Sequence, residues 1–78
     1  MKVKDLDPET NLQDIQVRVP EGHEDTYPFE DRIGYWRGQW GYPDGKAGVW
    51  LKRSLDEDRV YPVCIDNLKE TLEWEVIE

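Results

Sequence analysis

Cys64 and His23 are the only cysteine and the only histidine of the chain, and nucleophilic catalysis needs a nucleophile, a base and an orienting group brought together. Cys64 lies in Tyr61-Pro62-Val63-Cys64-Ile65, which reads as a half-buried strand, and His23 lies in an acidic loop. Activating a thiol requires a basic neighbourhood, and Tyr61 to Ile65 offers none. The expectation is therefore an inert core or edge thiol and a solvated imidazole. Glu73 and Glu75 share one face of a predicted strand, but among 18 acidic residues such pairs arise by chance, and acid–base work needs environments that push two pKa values apart. Asp56-Glu57-Asp58 offers hard oxygen ligands without the glycine and distant bidentate Glu of a calcium loop. One Cys and one His cannot furnish an ordinary structural zinc site. The glycines at 34, 38, 41, 45 and 48 match no P-loop and precede no helix. No catalytic residue, metal or cofactor is expected, and the chain does not read as an enzyme.

The remaining chemistry is aromatic. Tyr35, Trp36, Trp40, Tyr42 and Trp50 crowd the middle of the chain together with Arg37, Lys46, Lys52 and Arg53. From Ile33 to Arg53 there are four basic residues and one acidic; Met1 to Arg32 carries nine acidic and four basic, and Ser54 to Glu78 eight acidic and two basic. A basic, aromatic centre is thus enclosed by acidic flanks.

These residues need a framework of strands. Ile15, Val17 and Val19 alternate with polar residues at the period of a half-buried strand, closed by Pro20. Glu21 to Asp31, with five acidic residues, Gly22 and Pro28, reads as a long loop whose Tyr27 and Phe29 fold one side onto the structure beneath. Ile33 to Trp40 alternates again. Tyr42-Pro43-Asp44-Gly45-Lys46 then supplies turn chemistry, and Ala47 to Lys52 resumes as the second arm of a hairpin. Ser54 to Asp58 offers another turn before a strand from Arg59 to Ile65, in which Pro62 requires an edge or a bulge. Asp66 to Leu72 has room for one helical turn capped by Asp66. A last strand follows, with Leu72, Trp74 and Val76 facing inward.

Strict alternation puts Trp36, Gly38 and Trp40 on one face of the hairpin, opposite Ile33 and Tyr35. The expected core is Ile33, Tyr35, Val49, Leu51, Val60, Leu72, Trp74 and Val76, leaving Trp36, Trp40 and Trp50 partly exposed. An outward aromatic cluster of this kind would mark a binding surface; the alternative is that these Trp pack under the Glu21 to Asp31 loop. The candidate partner-binding residues are Trp36, Trp40, Tyr42, Trp50, Arg37 and Lys52.

A strand, a long acidic loop, a tight hairpin, a fourth strand, a helical turn and a fifth strand form an order that resembles SH3-like small β-barrels. The resemblance is architectural, resting on the Tyr42 to Lys46 turn and the turn at Asp66 to Thr71 before Leu72 to Ile77. In the signalling SH3 family an acidic loop and a following Trp form a groove for proline-rich peptides; Glu24, Asp25, Glu30, Asp31 and Trp36 look like those parts. The family's alanine-leucine-tyrosine-aspartate-tyrosine opening has no counterpart in this chain. The fold expected is mainly β: one small domain over 1–78, an SH3-like barrel or a strongly bent five-stranded antiparallel sheet with one short helical turn before the last strand.

With 78 residues and a formal net charge of −8, the chain is too short for two cores, and general capture of phosphate backbones is unfavourable. A protein partner is expected, bound through the aromatic hairpin. The alternatives are single-stranded nucleic acid stacked on the same aromatics and a structural role by self-association, the sequence leaving the oligomeric state open. No apolar run is long enough to cross a membrane, no disulfide can form within the chain, and a cytoplasmic location fits the lone cysteine.

Overall fold

The structure, a computed structural model, describes residues 1–78. A short 3-10 turn at Val3–Asp5 precedes β1 (Gln16–Arg18), β2 (Ile33–Gly41), β3 (Ala47–Lys52) and β4 (Tyr61–Ile65); a second 3-10 turn, Leu68–Glu73, leads into β5 (Glu75–Val76). All five strands form one antiparallel sheet in the order β4-β3-β2-β1-β5. No helix is long and apolar enough to cross a membrane.

The β2–β3 turn follows from local chemistry. Gly45 takes a positive φ of 93°, open to glycine at no steric cost, the Lys46 N–H donates to the Asp44 carboxylate, and Tyr42 and Lys46 close the turn through the backbone. Pro62 sits in β4, the last strand of the sheet, where its missing N–H can be tolerated.

The core consists of Val3, Val17, Val19, Tyr27, Trp36, Ala47, Val49, Leu51, Val63, Ile65 and Trp74. Val49, Leu51 and Trp74 lie where alternation places them. Other expected core positions do not. Ile33, Tyr35 and Val76 are only half-buried, Val60 is 39% exposed and Leu72 43% exposed. Leu72 is displaced because the second 3-10 turn runs through Glu73, leaving only Glu75 and Val76 to pair with β1. This turn is capped by Asn67 rather than Asp66: the Lys69 N–H donates to the Asn67 side chain at 2.9 Å, while the Asp66 N–H donates to Glu70.

The larger departure is in β2. Tyr35 pairs with Lys52 and Trp36 with Leu51, but the next pair is Gly38 with Trp50, so Arg37 is an extra residue in a β-bulge. Each bulge residue reverses the alternation that follows it. Trp36 therefore faces inward with Leu51, at 3% exposure, whereas Trp40 faces outward with Gly48 and Trp50. The expectation that Trp36 is partly exposed is thus corrected, and it is corrected by one inserted residue.

The long loop folds back as its aromatic residues require. Tyr27 is buried, and its hydroxyl donates to the Ile33 carbonyl. Tyr27, Phe29 and Tyr61 form an edge-to-face trio with ring centroids 5.0 to 5.8 Å apart. Arg53 fastens this trio: its guanidinium forks onto Asp31 at 2.6 and 2.7 Å, donates to the Ile33 carbonyl and lies 4.9 Å over the Phe29 ring. Hydrogen bonds from Arg53 in turn hold the Asp31 carboxyl below its usual range.

Burial pushes the Tyr27 phenol up to about 12. A pKa raised above the unfolded value of about 10 stabilises the fold fully below pH 10 and loses that contribution as pH rises through 12. The urea midpoint should therefore fall between pH 10 and pH 12, and the fall should be shallower in Tyr27→Phe. Equal slopes for the two proteins would show that Tyr27 does not couple to folding.

Candidate partner-binding face

With β3 between β4 and β2 and with Val49 and Leu51 turned inward, Gly48, Trp50 and Lys52 must face the other side of the sheet. Their cross-strand partners share that face: Trp40 and Tyr35 on β2, Cys64 and Pro62 on β4. Trp40 and Trp50 meet there with ring centroids 4.7 Å apart and planes inclined by 38°, an offset contact of the kind aromatic rings prefer.

Gly48 is the bed on which Trp40 rests. A β-carbon at Gly48 would overlap Cζ2 and Cη2 of the indole and stand 2.6 Å from Cε2, so only glycine lets the ring lie against the strand. Trp40 remains half-exposed and Trp50 is 38% exposed. Tyr42, 60% exposed on the adjoining turn, extends the aromatic surface. It lines, with Trp40, Lys46, Cys64 and Asp66, a depression of about 260 Å³.

The candidate residues thus divide. Trp40, Trp50 and Tyr42 come together on the outer side, and Lys52 stands opposite Tyr35 on the same face. Trp36 does not join them. It packs edge-to-face on Trp74 at 6.2 Å, and its indole N–H donates to the Gln39 side chain at 3.2 Å. Arg37, the bulge residue, is held by the Asp14 carboxylate. With Arg53 bound to Asp31, two of the four basic residues of the chain's centre are paired within the molecule, and only Lys46 and Lys52 lack a carboxylate partner there.

Of the parts likened in sequence to a peptide groove, Trp36 lies inside the core and Asp31 of the acidic loop is engaged by Arg53. Sequence reasoning missed Gly48 as the bed of Trp40, Pro62 and Tyr35 as members of the face, and Arg53 as a loop clamp. Gly38 inside a strand pattern reads from sequence as a bulge or as room for a neighbouring ring; the bulge is there, Gly38 has a φ of 153°, and the ring lies instead on Gly48.

His23 and Cys64 line one depression of about 520 Å³, together with Asp66, Glu70, Glu73 and Trp74. Cys64 is exposed. No three His, Cys, Asp or Glu side chains converge closely enough to hold a metal ion. Comparison with protein-family models, with curated proteins and with solved structures finds no match to the chain.

Proposed function

We propose that the chain is a non-catalytic protein-interaction or assembly module that binds a protein partner in the cytoplasm through the outer face of β2, β3 and β4. The observation that carries this reading is the Trp40–Trp50 pair, turned outward beyond the Arg37 bulge and held against the sheet by Gly48. Large aromatic side chains in a preformed, half-exposed cluster lose little conformational freedom on binding and are enriched among residues that dominate interfaces. Tyr42 and Lys52 border the cluster, and the acidic surroundings favour partner choice and rate of encounter. We also read the fold as an SH3-like small barrel; the strand order and the 3-10 turn before β5 support this.

Stacking of single-stranded nucleic acid on the same two rings is the second reading, favoured by Lys46 and Lys52 at either end of β3. Against it stand the net charge of −8 and the internal pairing of Arg37 and Arg53. Partner capture with the Trp40→Ser/Trp50→Ser double variant tests the proposal. Both positions lie off the core, so the variant should keep its fold by circular dichroism and lose at least about tenfold in affinity, since truncating one anchor costs upward of ~1 to 2 kcal/mol. Undiminished binding of every captured partner would sink the proposal, and tight oligodeoxythymidine binding lost in the variant would favour the second reading.

A further inference from the structure

The sheet has two ends, and they are finished differently. Beside β5 runs the start of the chain: the Val76 N–H donates to the Met1 carbonyl at 2.7 Å, the Val3 N–H to the Trp74 carbonyl at 2.9 Å, and Lys2 bridges to Glu75. At the opposite end β4 pairs with β3 alone. Pro62 has no N–H to give to β3, and the arrangement that spares the ladder turns the backbone polar groups of Pro62, and with them those of Cys64, toward the free side. The proline blocks pairing at the first half of this edge. Within Val63 to Ile65 the Cys64 N–H and C=O remain open as a template for another strand.

Two depressions meet at that stretch, and both are lined by Cys64, Ile65 and Asp66. On the outer side stand Trp40, Tyr42 and Lys46. On the inner side stand His23, Glu70 and Glu73. Glu73 is engaged by Lys2 and Lys4, whereas the Asp66 and Glu70 carboxylates have no cationic partner.

We propose that β4 receives an extended segment of a basic partner, added as a sixth strand along Val63 to Ile65, with apolar side chains against Trp40 and Tyr42 and Lys or Arg side chains beside Asp66 and Glu70. The inference rests on the reading of the chain as a partner-binding module. Side chains of an added strand alternate between the two faces, and the two faces of this edge differ in chemistry, one aromatic and one acidic. Backbone hydrogen bonds would supply affinity and the alternate pockets specificity. Charge selects the occupant: a second copy would bring a further −8 to an already acidic edge, whereas a cationic segment is drawn in from a distance.

The experiment is a titration of the full chain with three labelled octapeptides, alternating Val and Lys, Val and Glu, or Val and Gln, followed by anisotropy and by hydrogen exchange at the Cys64 amide. In the free protein this amide should exchange rapidly, and the Val/Lys peptide should protect it. That peptide should bind at least about tenfold more tightly than the Val/Glu peptide. The advantage should shrink in Asp66→Asn/Glu70→Gln and at high salt. A Cys64 amide already protected in dilute free protein would overturn the proposal, as would equal binding of the three peptides. Protection that appears with protein concentration alone would assign the edge to a second copy and overturn it too. Loss of partner binding in the Trp40/Trp50 double variant with no protection at Cys64 would remove the edge and leave the aromatic face standing.

Discussion

Trp36→Ala should remove ~3 to 5 kcal/mol of stability, since its indole is buried in the core, while Arg37→Ala should cost no more than about 1 kcal/mol. The Arg37 substitution removes only a part-exposed ion pair with Asp14, and such pairs contribute little. Deleting Arg37 altogether closes the bulge: Trp36 and Gly38 become neighbours and still face Leu51 and Trp50, which are neighbours themselves. Ordinary alternation then keeps Trp36 inward with Leu51 and Trp40 outward with Gly48, so neither face depends on Arg37 being present. Loss of the Trp36 indole is set against a total stability of ~4 to 12 kcal/mol for a chain of this length. Urea denaturation monitored by near-ultraviolet dichroism measures both variants. A Trp36→Ala variant as stable as the parent would show that this indole does not anchor the core.

Gly34→Ala should destabilise by ~3 kcal/mol, the upper range for overpacking a core. Gly34 is buried between Tyr27 and Leu51. A β-carbon there would overlap the Tyr27 hydroxyl and come within 2.9 Å of Cζ and 3.2 Å of the Leu51 β-carbon. None of these can yield cheaply, since the Tyr27 hydroxyl is tied to the Ile33 carbonyl and the ring is wedged against Phe29 and Tyr61. Tyr27→Phe removes the worst overlap, so the double variant should lose less than the sum of the two single losses, a coupling that chemical denaturation reads directly. Strict additivity would place the strain elsewhere.

What was legible in the sequence was local. Pro43, Asp44 and Gly45 specify their turn by their own conformational preferences, and β1, β3 and the strand containing Pro62 follow from periodicity and from proline's missing donor. Tyr27 and Phe29, apolar residues in an acidic loop, announce that the loop folds inward. The face of Trp36 was not legible in the same way. Alternation is a rule of parity, and one unpaired residue at Arg37 inverts it, so Trp36 and Trp40, four residues apart and of one type, receive opposite environments. Leu72 failed differently: it sits in the right rhythm for a strand, but the Asn67 cap and the Thr71 hydroxyl, which donates to the Leu68 carbonyl at 2.7 Å, prolong the 3-10 turn past it. The Arg53 clamp joins positions 22 residues apart, a distance over which no pattern in the sequence operates.

The seam between β1 and β5 is a matter of timing as well as geometry. Arg18 and Glu75 pair across 57 positions, whereas β2, β3 and β4 are successive arms of a meander. Loop-closure entropy rises with the length of chain enclosed, so the meander can assemble from near neighbours while the seam awaits the most distant encounter in the sheet. Contacts of that span slow the search, and during biosynthesis β1 emerges long before its second partner exists. Until that moment Val17 lacks Val76 beside it. The aromatic hairpin therefore belongs to the part of the molecule that can form first, and the two-sided enclosure of β1 to the part that forms last.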